Sequence, residues 1–385
     1  MIDIVAVLRA EDAVLDFLSV LTDPAGHEVR VLCGDTSEQV VLAAGGGTAE
    51  RLEALAGSVR PSDASAGSPG PGVLAELIDR AAAGRPARVW THSPADNRRS
   101  RGRLGLDAAT AAAGLGLPVQ HAVGYSPYLQ FIADSHRPLD RALVGAKLDF
   151  ANRHCRPLLR DEDPEYLVDT ARVPSLERWF TAGDGERRRL FALLASLGEE
   201  AASVEDPWEF ADSPYERERL DATTAWIADW VRAEDGPLIE VGACEGALTT
   251  RLTGKGFRVE ATEPNPLFRE RLAERAGTGV RVHPGDLAAL TAEPRLPGAA
   301  YLLIEMLYYG QDLDLLNDLA TDLVFVALEP SSVAGRLRPW LNASTTWAQA
   351  GETRLVGASL EAVCGGRAYL SKRGSTGIVL RRTGS

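Results

Sequence analysis

The stretch Pro237-Leu-Ile-Glu-Val-Gly-Ala-Cys-Glu-Gly-Ala-Leu-Thr-Thr-Arg251 constrains the fold of this chain more than any other. Its apolar run, Leu238–Val241, turns through Gly242 and Gly246 into a patterned helix, and a second apolar strand downstream ends in an acid, Glu263. Strand, glycine turn, helix, strand and terminal acid make the first half of a nucleotide-binding α/β sheet. The glycines let backbone approach the ligand, and the acid grips ribose hydroxyls. The glycine pattern does not suit a dinucleotide. Cys244 stands at the middle glycine, and Glu240 lies just ahead of Gly242, giving E-x-G-x-C-x-G. A pyrophosphate needs backbone N–H groups and little negative charge, whereas a sulfonium cation favours a carboxylate at the turn.

With 385 residues, the chain is long for one core, so two domains are expected. A net charge of −13 argues against nucleic acid or an anionic membrane as the main partner. Cys33, Cys155, Cys244 and Cys364 lie far apart without a C-x-x-C pair, so neither a disulfide framework nor a structural zinc site is expected. The N-terminus enters a strand directly, without a signal-peptide charge pattern, and no apolar run approaches membrane-spanning length. These features predict a cytoplasmic protein. Self-association into a homo-oligomer stays open.

The pattern predicts an α/β protein of two domains, each a mostly parallel sheet flanked by helices. The first half alternates strands (Ile4–Leu8, His27–Cys33, Ala87–Thr91, Pro118–His121) with helices (Ala13–Leu21, Val73–Ala83, around Leu104–Gly114, Ala142–His154). Pro61–Gly72 reads as a surface loop. The pattern changes between Thr181 and Glu205, which places the first domain at 1–180, a linker with a lead-in helix at 181–205, and the second domain at 206–385. Strands of the second half are expected at Leu238–Val241, Arg258–Thr262, Val280–His283, Ala300–Glu305 and Leu323–Leu328. A terminal antiparallel pair, Ala368–Lys372 with Gly377–Leu380, is expected to close that sheet across the turn Arg373-Gly-Ser-Thr376.

In an open α/β sheet, ligands bind outside the carboxyl ends of the strands, where strand order reverses. Gly242, Ala243 and Gly246 then pass beneath the ligand with Glu240 beside them, and Glu263, followed by Pro264, takes the ribose. Asp286 and Leu287, after the third strand, reach the adenine, and Glu305 opens toward the reacting centre. The cofactor that fits is S-adenosyl-L-methionine. Order and spacing resemble class I S-adenosylmethionine-dependent methyltransferases. The segment Asp206-Pro-Trp-Glu-Phe-Ala-Asp-Ser-Pro-Tyr-Glu-Arg-Glu-Arg219, with Glu305-Met-Leu-Tyr-Tyr309, is similar to NodS-type enzymes, which N-methylate the freed amine of a glucosamine unit. That resemblance implies a lid at Asp206–Arg219, with Tyr215 and Arg219 on the cofactor carboxylate. Trp208 and Phe210 equally fit a plain packing role.

Methyl transfer is an in-line displacement at carbon already activated by positive sulfur, so alignment supplies most of the acceleration. An amine acceptor must be neutral, and its last proton needs a destination. Glu305, Tyr308 and His283 are the candidate acceptors or orienting groups, with Tyr309 beside them. The expected acceptor is an amino sugar or a glycosylated natural-product intermediate. O-methylation is the near alternative.

The first half resembles PIG-L/LmbE-type zinc deacetylases, whose first strand runs into H-P-D-D-E. Here that frame reads Arg9-Ala-Glu11-Asp12, and Val89-Trp-Thr-His-Ser-Pro-Ala-Asp-Asn-Arg-Arg-Ser-Arg-Gly-Arg103 occupies the later ligand stretch. Register places Arg9 and Arg101 on two ligand histidines and leaves Asp12 as the one matching ligand. Arginine offers no lone pair to a metal, and a catalytic zinc needs three protein ligands. No metal is therefore expected, and the resemblance implies a deacetylase shape without hydrolysis. His92 and His121, near strand ends, could rebuild a site. The run Arg98–Arg103 reads as a solvated loop or as an anion-binding rim.

Overall fold

The computed structural model describes residues 1–23, 27–59, 67–96, 98–124, 129–155, 173–195, 199–292, 296–308 and 311–384. It is a mixed α/β structure with two seven-stranded sheets flanked by helices. The chain divides into two compact units, Met1–Ala201 with Ala362–Leu370, and Ala202–Glu361 with Ser371–Ser385.

The first unit runs β1 (Ile2–Val7), α1 (Ala10–Leu21), β2 (Glu28–Cys33), β3 (Glu38–Leu42), α2 (Thr48–Ala56), α3 (Pro71–Ala82), β4 (Ala87–Thr91), α4 (Arg99–Gly114), β5 (Val119–Ala122), β6 (Leu129–Phe131), β7 (Ser135–Pro138), α5 (Arg141–His154), β8 (Leu176–Phe180) and α6 (Asp184–Ala195). Its sheet has the order β3-β2-β1-β4-β5-β8-β7. Strands β2, β1, β4 and β5 are parallel, while β3, β8 and β7 pair antiparallel at the two edges. β1 is buried throughout, as a central parallel strand must be. α1 and α5 cover one face and α3 and α4 the other. The antiparallel edge strands were not foreseen, because they are short and carry little alternation.

Beyond apolar packing, a buried polar cluster ties α1 to this sheet. α1 is interrupted at Phe17 (φ −136°, ψ 20°), which leaves the N–H groups just beyond without regular helical partners. Leu18 N and Ser19 N each donate to Glu177 of β8 at 2.9 Å, and Ser19 Oγ adds a bond of 2.7 Å. Lys147 Nζ of α5 completes the set at 2.8 Å.

The second unit runs α7 (Pro214–Ala228), β9 (Leu238–Val241), α8 (Ala247–Gly254), β10 (Val259–Thr262), α9 (Pro266–Ala276), β11 (Arg281–His283), α10 (Leu287–Thr291), β12 (Ala300–Ile304), β13 (Leu323–Leu328), a helical run over 330–343, β14 (Trp347–Val356) and β17 (Ser375–Arg382); β15 (Ser359–Val363) and β16 (Ala368–Lys372) lie between the last two in the chain, and their residues 362–370 belong to the first unit. The sheet order is β11-β10-β9-β12-β13-β17-β14. The first five strands are parallel, and β17 lies antiparallel between β13 and β14. α7 and α8 pack on one face, and α10 with the 330–343 run on the other. Strand order reverses between β9 and β12, so the ligand crevice of this sheet type opens at their carboxyl ends.

Two expectations need correction. An antiparallel pair does close the sheet, but its members are β17 and β14. Ile378, Val379 and Leu380 of β17 are all buried, so both faces are covered and both backbone edges find a partner. β16 is excluded, and its residues Ala368–Leu370 pair with β6 in the first unit instead. The segment 181–205 is not one linker. α6 belongs to the first unit, where Leu190, Leu193 and Leu194 pack with Val123, Leu129 and Phe180.

Glu177→Ala should remove about 3–5 kcal/mol from the first unit, because it strands the Lys147 ammonium in the interior. Chemical denaturation followed by tryptophan fluorescence checks this, and a loss below about 1 kcal/mol would mean the ion pair is not what fixes α1.

Candidate active site

The crevice of the second unit is built from the ends of β9, β10, β12 and β13. β9 delivers Glu240, whose carboxylate is buried and accepts a 2.6 Å bond from Thr249 Oγ1 on α8. The loop that follows needs left-handed backbone at Gly242 (φ +68°), Cys244 (φ +52°) and Gly246 (φ +80°). A Cβ at Gly246 would lie 2.6 Å from Leu272 Cδ1, so any other residue there would push that methyl aside as well as take on a strained left-handed backbone. A Cβ at Gly242 would stand 3.4 Å from Met306 Cβ, so the turn after β12 lies directly against this loop.

β10 ends in Glu263, which is buried and yet satisfied. Cys244 N donates to its Oε2 at 2.8 Å and Asn265 N to its Oε1 at 2.9 Å. Burial raises its carboxyl above the ordinary range, and these two N–H groups oppose the rise. Glu240, more deeply placed, is pushed up to about 7 by burial and by the neighbouring charge of Glu263. Ala243 packs with Leu272 in a small apolar cluster beneath the loop. Pro264 is exposed, and its carbonyl accepts from Arg269. Asp286 is exposed and N-caps α10 through Ala289 N at 3.0 Å, while Leu287 is buried in the core behind it.

Glu305 follows β12 with φ +55°, a left-handed non-glycine backbone of the kind that marks functional strain. Ser375 Oγ donates to its Oε1 at 2.5 Å, and Tyr308 OH donates to its Oε2. Tyr308 OH in turn accepts from Glu329 N at 2.6 Å. Burial raises the Glu305 carboxyl, against the opposing charge of Arg219. Glu329, at the end of β13, is affected by burial too, but Ser331 and Arg373 hold it below its ordinary range.

α7 supplies the opposite wall. Arg219 is buried and donates through Nε to Glu216 at 2.8 Å. Glu216 also receives Lys372 Nζ at 3.1 Å, and the same ammonium lies 5.2 Å from the Tyr215 ring centroid. Tyr215 and Arg219, expected on the cofactor carboxylate, are thus tied into a network with Glu216. Tyr309 lies outside the described residues.

His283 is not part of this cluster. Its Nε2 is 3.1 Å from Glu260 on β10. β11 and β12 are separated by β10 and β9, three strand spacings or roughly 14 Å. A strand-end position therefore does not bring His283 to Glu305.

Several participants were not anticipated. Glu245 in the glycine loop is fully buried and meets Arg271 of α9 at 2.5 Å, whose guanidinium also donates to the carbonyls of Ala202 and Val204. Trp208 lies 5.3 Å from Phe268 on the same helix, so it packs on α9. Glu216, Glu329, Lys372, Arg373 and Ser375 also went unnoticed. Of these, only Glu329 carried a readable signal, as an acid closing an apolar strand.

In the first unit, strand order reverses between β1 and β4, and a charged cluster sits at their ends. Asp12 is fully buried, receives Arg9 N at 3.0 Å and is paired with Arg101. Burial alone would raise its carboxyl, but Arg101 and His92 hold it far below the ordinary range. His92 has Nε2 3.6 Å from Asp12 and Nδ1 3.5 Å from Asp16, and Leu8 N donates to Nε2. His121 Nδ1 donates to the His92 carbonyl at 2.8 Å, and burial lowers the imidazole to about 4. Glu11 is pushed up to about 7 by burial and by Asp12. Among the described residues, no group of three or more His, Cys, Asp or Glu side chains is placed to hold a metal ion. The donors do not fit a catalytic zinc, because a guanidinium already takes the one matching carboxylate.

No family model matches the chain, and no curated protein matches it. Among solved structures, it is similar to the N-methyltransferase NodS of Bradyrhizobium japonicum WM9 in complex with S-adenosyl-L-homocysteine, at 17% identity over 48% of this chain and 96% of that one, with a TM-score of 0.36. It is similar to the PH0226 protein of Pyrococcus horikoshii OT3 at 12% identity, 48% and 100% coverage and a TM-score of 0.36. The methyltransferase domain of bacterial CtHen1-C matches at 12% identity, 43% and 98% coverage and a TM-score of 0.33. Among the described residues, no helix is long and apolar enough to cross a membrane.

The buried Glu240 carboxyl makes a pH prediction. Folded, it keeps its proton up to about pH 7, whereas the unfolded chain releases it near 4.5. Stability of the second unit should therefore fall as pH rises between those values. Glu240→Gln keeps the Thr249 bond and should make that fall shallower, stabilising the unit by up to ~3 kcal/mol at pH 8 and by little at pH 4. Thermal melts of both proteins across that range check it, and parallel curves would contradict it.

Proposed function

We propose that this chain is an S-adenosyl-L-methionine-dependent methyltransferase acting on the amine of an amino sugar or a glycosylated intermediate. In this reading the first unit is a deacetylase-like domain without hydrolytic activity. The observation that carries the cofactor reading is the Glu263 carboxylate after β10, one strand from the reversal point of the sheet. It is fixed by Cys244 N and Asn265 N, beside a loop that must be left-handed at three positions. A carboxylate accepts at up to about four lone-pair sites. Two remain for ribose hydroxyls.

Charge supports a sulfonium ligand over a phosphate. Glu263 stands at the loop with its oxygens held by backbone N–H groups, and Arg271 is engaged on the far side by Glu245 and two carbonyls. A pyrophosphate there would meet the Glu263 carboxylate, with the Arg271 charge already taken up by Glu245. On the acceptor side, Glu305 presents a carboxyl held by two hydroxyls, able to take the proton that a methylated amine or hydroxyl must lose. The likeness to NodS, an N-methyltransferase by its description, agrees with this direction. Binding and alignment by the crevice do the rest.

Glu263→Ala should weaken S-adenosyl-L-homocysteine binding at least about tenfold, the loss of roughly 1.4 kcal/mol or more of charge-assisted hydrogen bonding. Isothermal calorimetry checks it, and unchanged affinity would remove the ribose assignment. Methyl transfer from labelled cofactor to D-glucosamine, compared with N-acetylglucosamine, separates amine from hydroxyl acceptors. For the first unit, metal analysis of the purified protein should find zinc well below about one per chain. Stoichiometric zinc with chelator-sensitive acetate release would contradict the inactive reading.

A further inference from the structure

Residues 372–375, expected as the end of a strand and the start of the turn Arg373-Gly-Ser-Thr376, bind three parts of the crevice: α7, the end of β13 and the end of β12. Lys372 Nζ meets Glu216 at 3.1 Å and Glu361 at 3.6 Å. Arg373 Nη1 donates to Glu329 at 3.0 Å. The Gly374 backbone is hydrogen-bonded to Tyr215. Ser375 Oγ donates to Glu305. Gly374 has φ +86°, and a Cβ there would lie 3.0 Å from Ala358 N and 3.2 Å from Val356 O, so the turn sits tight against backbone and cannot drift. Ser375 itself is fully buried, which fixes the direction of its hydroxyl.

We propose that this turn is a working part of the site, with Ser375 as the positioning residue that holds Glu305 ready to take a proton from the methyl acceptor. The inference rests on the methyltransferase reading and names a residue that reading did not use. In the step concerned, a nitrogen–carbon bond forms as the carbon–sulfur bond breaks. Sulfur keeps the electron pair as a neutral thioether, and the N–H proton passes to Glu305. To take it, Glu305 must be ionised in a site that burial makes hostile to charge. Ser375 and Tyr308 each stabilise the ionised form by donating to one oxygen. The other charged or titratable groups acting on this carboxylate are Arg219, Glu216 and Tyr215 on α7; around them, Lys372 is paired with Glu216, and Arg373 with Glu329, whose backbone N–H donates to Tyr308. Among the described residues hydrogen-bonded to Glu305, Ser375 is the one from a distant chain segment, and it carries no charge. Its removal therefore changes the proton affinity of Glu305 and little else.

The test follows the titration of Glu305 in the full chain, without needing the natural acceptor. The difference in urea stability between the wild type and Glu305→Gln, measured across pH 4–9, locates the Glu305 midpoint through proton linkage. The same pair in a Ser375→Ala background should show that midpoint about one pH unit higher, a tenfold change in proton affinity, and Ser375→Thr should restore it. A purely structural serine would lower stability equally at every pH and leave the midpoint in place, which overturns the proposal. Affinity of the unsubstituted protein for S-adenosyl-L-homocysteine is read in a separate calorimetric experiment. Failure of the cofactor reading is thereby distinguished from failure of this one.

Discussion

The second unit depends on how one carboxylate is used. Glu263 closes β10, and its two oxygens accept N–H groups from opposite directions, Cys244 in the loop after β9 and Asn265 at the cap of α9. Unpaired, a carboxylate this deeply buried would cost several kcal/mol. Paired, it welds two consecutive strand-to-helix turns into one surface. The left-handed backbone of Cys244, itself worth roughly 1 kcal/mol of strain or more, is tolerated because its N–H is needed where it points. On the far side of the loop, Glu245 and Arg271 fasten the 202–206 stretch to the same surface. The glycine turn is therefore held from both sides before any ligand arrives.

Acids stand within or just after four neighbouring strands, at Glu240, Glu263, Glu305 and Glu329, and their surroundings give them different tasks. Glu240 has a single hydroxyl donor and is pushed toward neutrality. Glu263 is satisfied by backbone and keeps lone pairs toward the crevice. Glu305 has two hydroxyl donors and an arginine charge nearby, an arrangement that suits gain and loss of a proton. Glu329, paired with Arg373 and two serines, stays ionised and anchors the rim. Residue type is the same throughout. Partner and depth separate the roles, as in other sites that run acid and base chemistry near neutral pH.

Much of this was readable from sequence where the evidence is local. Leu238–Val241 and Leu323–Leu328 are observed with the bounds their apolar runs predict, and Glu263 and Glu305 stood out as acids closing such runs. The reading failed where partners are distant in the chain. Ser375 reaches Glu305 across 70 residues and Lys372 reaches Glu216 across 156, distances at which no spacing rule operates. His283 misled for a related reason, since a strand end is visible in sequence but the order of strands in the sheet is not. The β16–β17 turn was visible, while the splitting of its two strands to different partners depended on burial of β17 from both faces. In the first unit, the substitution of arginine into a ligand frame could be read directly. Its consequence, the Arg101 guanidinium on Asp12, is a contact across 89 residues that only the fold supplies.

The most direct test of this account is a crystal structure of the protein grown with S-adenosyl-L-homocysteine. It should show the ribose hydroxyls on Glu263 at charge-assisted distances of about 2.5–2.7 Å, the loop Gly242–Gly246 beneath the amino-acid part, and the sulfur facing Glu305. A ligand bound elsewhere, or a crevice that excludes it while Glu263 stays sealed by its own loop, would contradict the central claim.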